Sequence, residues 1–187
     1  FAPLRGHIRR PDLRNHRKIL VIDGREAYVG SHNLVAPDYD TPSYAKAGML
    51  YDDTSVSVTG PIVAQIQAVF AVDWYYACKE ILTPDVLIPP AAQLAAENED
   101  TQISAMQIIP SGPAFTGEPN LRAFIHMISS ARTHVSITSP YFIPDEALMT
   151  ALTNAALSGV EVELFVSEQF DQFLVGHAQR SYYGPLL

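Results

Sequence analysis

Segments with strand and helix patterns alternate in the second half of the chain. His134–Ser139 alternates polar and apolar residues, which is typical of a strand, and Asp145–Leu157 has the apolar spacing of a helix. Ser158-Gly159 closes that helix, and Val160–Val166 predicts another strand. A crossover of about twenty residues joins parallel strands, so the segment predicts a right-handed βαβ unit. The fold class is therefore expected to be α/β.

The first half contains a predicted β-hairpin. Residues 19–22 and 26–31 are rich in β-branched and aliphatic side chains, and Asp23-Gly24 between them is a strong hairpin signal. Another strand is predicted over Ser55–Thr59.

The length of the hairpin turn decides which side chains share a face. A two-residue turn pairs Lys18 with Val29 and His16 with Ser31, and Asn33 follows Ser31 at strand spacing. A three-residue turn would shift every pairing by one residue. We predict the two-residue turn, which places His16, Lys18, Ser31 and Asn33 on one patch.

That patch has the chemistry of a phosphoryl-transfer site. An imidazole can act as a nucleophile or carry a proton, while an ammonium and a carboxamide can hold phosphate oxygens. Gly30 would let a ligand approach the backbone closely. No metal-ligand spacing of His, Cys or carboxylates lies nearby in the sequence, so neither a metal nor a cofactor is predicted. The alternative is that His16 and Lys18 are solvated residues at the end of a buried strand.

The charge distribution favours an anionic substrate. The net charge is −8, which argues against a general nucleic-acid binder. Residues 1–34 nevertheless carry seven Arg and Lys against three Asp and Glu, so the basic charge surrounds the predicted patch. A solvated basic surface is the alternative.

Other segments have recognisable periodicities. A helix is predicted from Ile62, where apolar residues recur every four positions as far as Trp74, which is expected in the core. A strand is predicted over Ile103–Pro110. The remaining predictions are a helix containing Leu121, Phe124, Ile125 and Ile128, an aromatic segment Tyr141–Pro144 that either faces substrate or packs on a helix, and a last helix from about Asp171.

The motifs identify a family resemblance. His16-x-Lys18-x4-Asp23, followed by Gly30-Ser31-x-Asn33, resembles the HKD motif of the phospholipase D superfamily. More narrowly, LRNHRKILVIDG is similar to the first such motif of bacterial cardiolipin synthases. The similarity continues, in the order of that family, through residues 58–77, 108–113, 139–148 and 156–171.

The resemblance implies a phospholipase D-like mixed sheet flanked by helices, present here as parts of two lobes. The proline-containing, acidic segment 83–102 is the expected connection. Residues 1–98 would be the C-terminal part of the first lobe with its HKD motif. Residues 99–187 would be the N-terminal part of the second lobe, without its own motif.

The resemblance also implies roles for individual residues. His16 would attack a phosphatidyl donor to form a phosphohistidine, Lys18 and Asn33 would contact the phosphate, and Ser31 would support them. Asp23 completes the motif and is expected to order the hairpin. A carboxylate that orients the imidazole is expected at Asp53, with Asp52 as the alternative.

The implied activity is phosphatidyl transfer to a glycerol-headed phospholipid, with an anionic lipid such as phosphatidylglycerol as donor. A phospholipase D or phosphodiesterase that uses water is the alternative. The second HKD motif is expected beyond Leu187, and the family's membrane-spanning segment is not found in these residues. We therefore expect a parent protein at the bacterial cell membrane, with its site on the cytoplasmic side. The 187-residue chain itself is expected to be soluble and inactive alone.

Overall fold

The computed structural model describes residues 15–83, 104–112, 115–168 and 173–187. It divides into two compact units, Phe1–Thr116 and Gly117–Leu187. Residues 104–112 thus lie with the first unit, although the sequence places the lobe boundary at 98/99. The assignment of the units to two lobes stays a prediction. Most of the predicted connection over 83–102 lies outside the described residues, as do the basic residues before Asn15 and the predicted helix start at Asp171.

The first unit is built on a three-stranded antiparallel sheet within the described residues, in the order β1-β2-β3. Strand β1 is Lys18–Ile22, β2 is Glu26–Gly30 and β3 is Ser55–Thr59. A short helix, α1 (Pro42–Ala47), lies between β2 and β3. Side chains alternate between the two faces of this sheet, so each face has its own composition.

One face of the sheet packs against helix α2, Ile62–Cys78. Ala27 is fully buried at the centre of this cluster. Full burial of a valine or isoleucine side chain stabilises the unit by roughly 1.5–3 kcal/mol. The cluster consists of Ala27, Ile62, Val63 and Ile66, with Ile19, Val21, Val29, Val58 and Ile108 packed around it.

The period-four stripe of α2 is buried only in its first half. Ile62 and Ile66 are buried, Phe70 is half-buried, and Trp74 is 36% exposed. The expected core position of Trp74 is wrong, because the indole is exposed and its Nε1–H donates to Glu80 at 3.2 Å. The predicted strand over Ile103–Pro110 is also wrong for its described part. Residues 104–110 form no strand, and Ile108 packs against the first core as an irregular segment.

The second unit contains the predicted βαβ arrangement. Strand β4 (His134–Ser139) pairs in parallel with β5 (Glu161–Val166), and helix α4 (Glu146–Leu157) connects them. Asp145 caps α4 by accepting a hydrogen bond from the Leu148 N–H at 2.8 Å. The α/β class is confirmed. The core consists of Ile128, Phe142, Ala151, Leu152, Ala155 and Val160.

The described part of the second unit also contains the helices α3 (Pro119–Ser130), α5 (Phe173–Arg180) and α6 (Tyr183–Leu186). Helix α3 contributes Ile128 to the core. Among the residues that the structure describes, no helix is both long and apolar enough to cross a bilayer.

Candidate active site

The candidate site lies at the open end of the β1–β2 hairpin. In the observed register Lys18 pairs with Gly30 and Ile22 pairs with Glu26, so the turn has three residues and the predicted pairing is wrong by one. The physical reason lies in the turn. Asp23 and Gly24 both have positive φ, 52° and 63°, and the Arg25 N–H donates to the Ile22 carbonyl at 3.0 Å. Arg25 is therefore a third turn residue, and the pairing with β1 begins at Glu26.

This register places Lys18 on the face of the sheet opposite α2. Its ammonium donates to the carbonyl oxygen of His16 at 2.6 Å, and the side chain of Lys18 is half-buried while His16 is exposed. Leu20 and Tyr28, which share the face with Lys18, are 53% and 37% exposed. Lys18 and the strand residues beyond it therefore present an accessible surface.

A glycine is required at position 30 because the backbone of the neighbouring strand lies too close for a side chain. A Cβ at Gly30 would lie 2.3 Å from the Thr54 carbonyl oxygen and 2.5 Å from Ser55 Oγ. The structure thus shows close contact of Gly30 with β3, and the approach of a ligand at Gly30 stays a prediction. This contact fixes the spacing of the two strands directly opposite Lys18.

Ser31 joins the end of β2 to the start of β3. Its backbone N–H donates to the Thr54 carbonyl at 2.9 Å, and its hydroxyl accepts from the Thr54 N–H at 3.0 Å. The hydroxyl also lies 3.4 Å from the Thr54 carbonyl oxygen. Asp53, the expected orienting carboxylate, directly precedes Thr54 and is half-buried, whereas Asp52 is exposed. Ser31 thus holds the backbone next to Asp53.

Asn33 is oriented by a tyrosine that sequence reasoning did not identify. Its side-chain amide donates a hydrogen bond to the Tyr39 hydroxyl. The Tyr39 ring lies 4.7 Å from the Tyr51 ring, and the Tyr44 ring lies 6.3 Å from Tyr51, measured between centroids. The sequence signal for this contact is the density of tyrosines in residues 39–51.

A carboxylate on the face of the sheet opposite α2 accepts two hydrogen bonds. Glu26 Oε1 accepts from the Tyr28 hydroxyl at 2.6 Å and from the Ser57 hydroxyl at 2.9 Å. These two hydrogen bonds lower the pKa of Glu26, and donation to Glu26 raises the pKa of the Tyr28 phenol. The face therefore holds a stable anion near the hairpin turn, at the end of β1 away from Lys18.

The aromatic segment after β4 divides into buried and exposed residues. Phe142 is 5% exposed and belongs to the second core, whereas Tyr141 is 38% exposed. The Phe142 N–H donates to Gln179 Oε1 at 2.8 Å, and Gln179 Nε2 donates to the Tyr183 hydroxyl at 2.8 Å. The packing interpretation thus applies to Phe142, and Tyr141 lies exposed at the carboxyl end of β4.

Within the described ranges, no group of three or more His, Cys, Asp or Glu side chains is arranged to hold a metal ion.

Known proteins resemble this chain over most of its length. A model described as "Cardiolipin synthase, PLD-like domain" matches residues 124–187. The chain is 38% identical over 177 residues to a cardiolipin synthase of Geobacillus kaustophilus, covering 94% of this chain and 34% of that protein. It is 39% identical over 173 residues to cardiolipin synthase A of Pseudomonas aeruginosa, covering 91% of this chain and 32% of that protein.

The chain is thus similar to bacterial cardiolipin synthases. A third relative, the cardiolipin synthase of Halalkalibacterium halodurans, is 39% identical over 94% of this chain and 33% of its own length. The chain thus spans about a third of the length of these curated relatives. The resemblance stated from the HKD pattern and the downstream segments is confirmed.

Proposed function

We propose that this chain supplies one half of the active site of a phosphatidyltransferase of the cardiolipin-synthase type. The observation that carries the proposal is the hairpin end, where exposed His16 lies two residues before half-buried Lys18, whose ammonium donates to the His16 carbonyl oxygen. The names of the relatives, which match over nearly all of this chain, support a synthase rather than another branch of the superfamily.

The proposed reaction begins with nucleophilic attack by the His16 imidazole on the phosphorus of a phosphatidyl donor. A nitrogen–phosphorus bond forms, the phosphorus–oxygen bond to the headgroup alcohol breaks, and a general acid gives the departing oxygen its proton. A hydroxyl of the acceptor lipid then attacks the phosphohistidine, loses its proton to the same group, and releases the imidazole. By the family resemblance, that acid and base is the histidine of a second HKD motif.

The remaining residues of the proposed site stabilise charge and geometry. The Lys18 ammonium and the Asn33 amide are proposed to contact the phosphate oxygens, where positive charge and N–H donors are most effective as negative charge builds. Ser31 supports this arrangement through its hydrogen bonds with Thr54. Asp23 acts through the hairpin turn, and Asp53 is proposed to orient the imidazole.

The proposed substrate is an anionic glycerophospholipid such as phosphatidylglycerol. The basic residues concentrated in 1–34 would attract it to the site. The complete protein is accordingly proposed to act at the bacterial cell membrane, with its site on the cytoplasmic side. It would contain a second phospholipase D-like domain.

The test is product analysis with the full-length protein and vesicles containing phosphatidylglycerol. Cardiolipin and free glycerol are the expected products. Phosphatidic acid without cardiolipin would show that water is the acceptor, and the synthase proposal would then be replaced by a phospholipase D. No turnover of the lipid would exclude both activities for this substrate.

The residue assignment is tested with two histidine variants. His16→Ala is expected to abolish lipid turnover and the acid-labile phosphoenzyme. His32→Ala is the matched control, because His32 is exposed at the same end of the hairpin and has no proposed role. Full turnover in His16→Ala would remove His16 from the mechanism.

A further inference from the structure

Arg17, between His16 and Lys18, contacts three other segments of the first unit. Its Nη1 lies 2.5 Å from Asp73 Oδ1, and its Nη2 donates to the carbonyl oxygen of Ser111. Its guanidinium carbon lies 5.6 Å from the centroid of the Phe115 ring, a cation–π contact. Arg17 is thereby held by a helix, a backbone carbonyl and an aromatic ring.

The Arg17 side chain points to the opposite face of the extended chain from the side chains of its two neighbours. Along an extended chain Arg17 shares a face with Ile19 and Val21, which pack against the α2 core, and Asp73 belongs to α2. Lys18 lies on the other face, opposite Gly30. The ion pair of Arg17 with α2 therefore fixes the rotation of the chain about its axis. It thereby also fixes the direction in which the Lys18 side chain points.

The sheet does not hold this stretch by itself. The first pair of the β1–β2 ladder is Lys18–Gly30, so His16 and Arg17 precede the ladder. The side chains of Arg17 and Asp73 are only 25% and 18% exposed, so their ion pair is largely shielded from water. A guanidinium is planar and has several N–H donors, so it can contact a carboxylate, a carbonyl and an aromatic face at the same time. A lysine ammonium cannot.

We propose that Arg17 is the positioning residue of the candidate site. Its anchorage to Asp73, Ser111 and Phe115 orients His16 and Lys18 toward the phosphate of the donor. It acts through the backbone it shares with these neighbours and does not touch the substrate. The proposal rests on the proposed function of His16 and Lys18 in phosphatidyl transfer.

The kinetic test is a single-turnover experiment on the full-length protein, with enzyme in excess over phosphatidylglycerol in mixed micelles. Arg17→Lys and Asp73→Asn are each expected to lower the first-order rate constant of donor consumption by about 10- to 100-fold at unchanged amplitude. The double variant is expected to be no slower than the slower single variant, because both changes break one contact. A loss of amplitude alone would indicate fewer folded molecules and would overturn the proposal.

Arg25→Lys is the matched control, because Arg25 is an exposed arginine in the turn of the same hairpin and the substitution keeps its charge. Its rate constant and amplitude are expected to equal those of the wild type. An equal loss in Arg25→Lys would show a general effect of the hairpin and would overturn the proposal.

A second measurement is independent of turnover. Amide hydrogen exchange in the peptide covering residues 15–18 is expected to be faster in Arg17→Lys and Asp73→Asn than in the wild type, and unchanged in Arg25→Lys. Unchanged exchange in the first two variants, or faster exchange with an unchanged rate constant, would overturn the proposal. A wild type that transfers no phosphatidyl group would overturn the proposed function instead, and exchange would still decide whether Arg17 anchors this stretch.

Discussion

The side-chain amide of Asn33 donates a hydrogen bond to the hydroxyl of Tyr39. The Tyr39 ring is in turn packed against Tyr51, with 4.7 Å between centroids. A primary amide has two N–H donors and one carbonyl acceptor, so one N–H and the carbonyl remain for a ligand. The proposed phosphate contact of Asn33 therefore depends on an aromatic residue six positions later in the chain.

Tyr39→Phe is expected to weaken catalysis while leaving the fold intact. The substitution keeps the ring packing and removes the acceptor of the Asn33 amide. Loss of one hydrogen bond of about 0.5–1.5 kcal/mol corresponds to a roughly 2- to 10-fold lower kcat/KM. Steady-state lipid turnover by the full-length protein is the measurement.

Tyr44→Phe is the control for Tyr39→Phe, because Tyr44 belongs to the same aromatic cluster through Tyr51. Its kcat/KM is expected to remain at the wild-type value. Equal losses in both variants would mean that the cluster acts through folding rather than through Asn33.

Gly30→Ala is expected to destabilise the first unit. The added methyl would meet the Thr54 carbonyl oxygen at 2.3 Å, a backbone atom that cannot move without separating β2 from β3. Such overpacking costs about 1–3 kcal/mol in the free energy of unfolding. Urea denaturation measures this loss.

Gly184→Ala is the matched substitution, because nothing lies within 4 Å of a Cβ at Gly184. We expect it to change the free energy of unfolding by less than about 0.5 kcal/mol. Similar destabilisation by both substitutions would show that the contact of Gly30 with β3 is not the cause.

Local patterns were sufficient to predict the elements of the second unit. The strand β4, the helix α4 and the parallel strand β5 follow from alternation, helical spacing and crossover length, which are all properties of neighbouring residues. The candidate site residues His16, Lys18, Ser31 and Asn33 follow from motif spacing and the family resemblance, whereas the hairpin register predicted to place them on one face is wrong by one residue. Their assignment stays a proposal.

The missed features depend on geometry that the sequence pattern does not contain. Asp23-Gly24 is compatible with either turn length, and the pairing of Lys18 with Gly30 was decided by one additional residue, Arg25. The Arg17–Asp73 pair joins residues 56 positions apart, so no local periodicity indicates it. Ile108 has the apolar character of a strand residue but packs from an irregular segment.

Gln179→Leu is expected to destabilise the second unit. Gln179 is fully buried, accepts from the Phe142 N–H and donates to the Tyr183 hydroxyl. Leucine has a similar size but leaves both groups without this partner, which costs about 1–3 kcal/mol in the free energy of unfolding. Thermal or urea unfolding measures the change.

Gln65→Leu makes the same chemical change at an exposed position of α2. We expect a change in the free energy of unfolding within about 0.5 kcal/mol. If Gln179→Leu were equally neutral, the buried hydrogen bonds would not contribute to stability.

Glu26→Gln is expected to reduce stability in a pH-dependent way. Hydrogen bonds from Tyr28 and Ser57 lower the pKa of Glu26 from its ordinary value of 4.5. A carboxyl group with a lower pKa in the folded state stabilises the fold above its unfolded pKa, and this contribution is lost as the pH falls through the folded pKa. The wild type is therefore expected to be slightly more stable than Glu26→Gln at pH 7, and the difference to decrease as the pH falls below about 4.5.

Urea midpoints of both proteins, measured between about pH 7 and pH 3, test the role of Glu26. Asp52→Asn is the control, since Asp52 is exposed in the same unit and its substitution also replaces a carboxylate by an amide. A difference between wild type and Glu26→Gln that stays constant over this range would mean that the amide packs differently. The hydrogen bonds to the ionised carboxylate would then not be the cause of the lost stability.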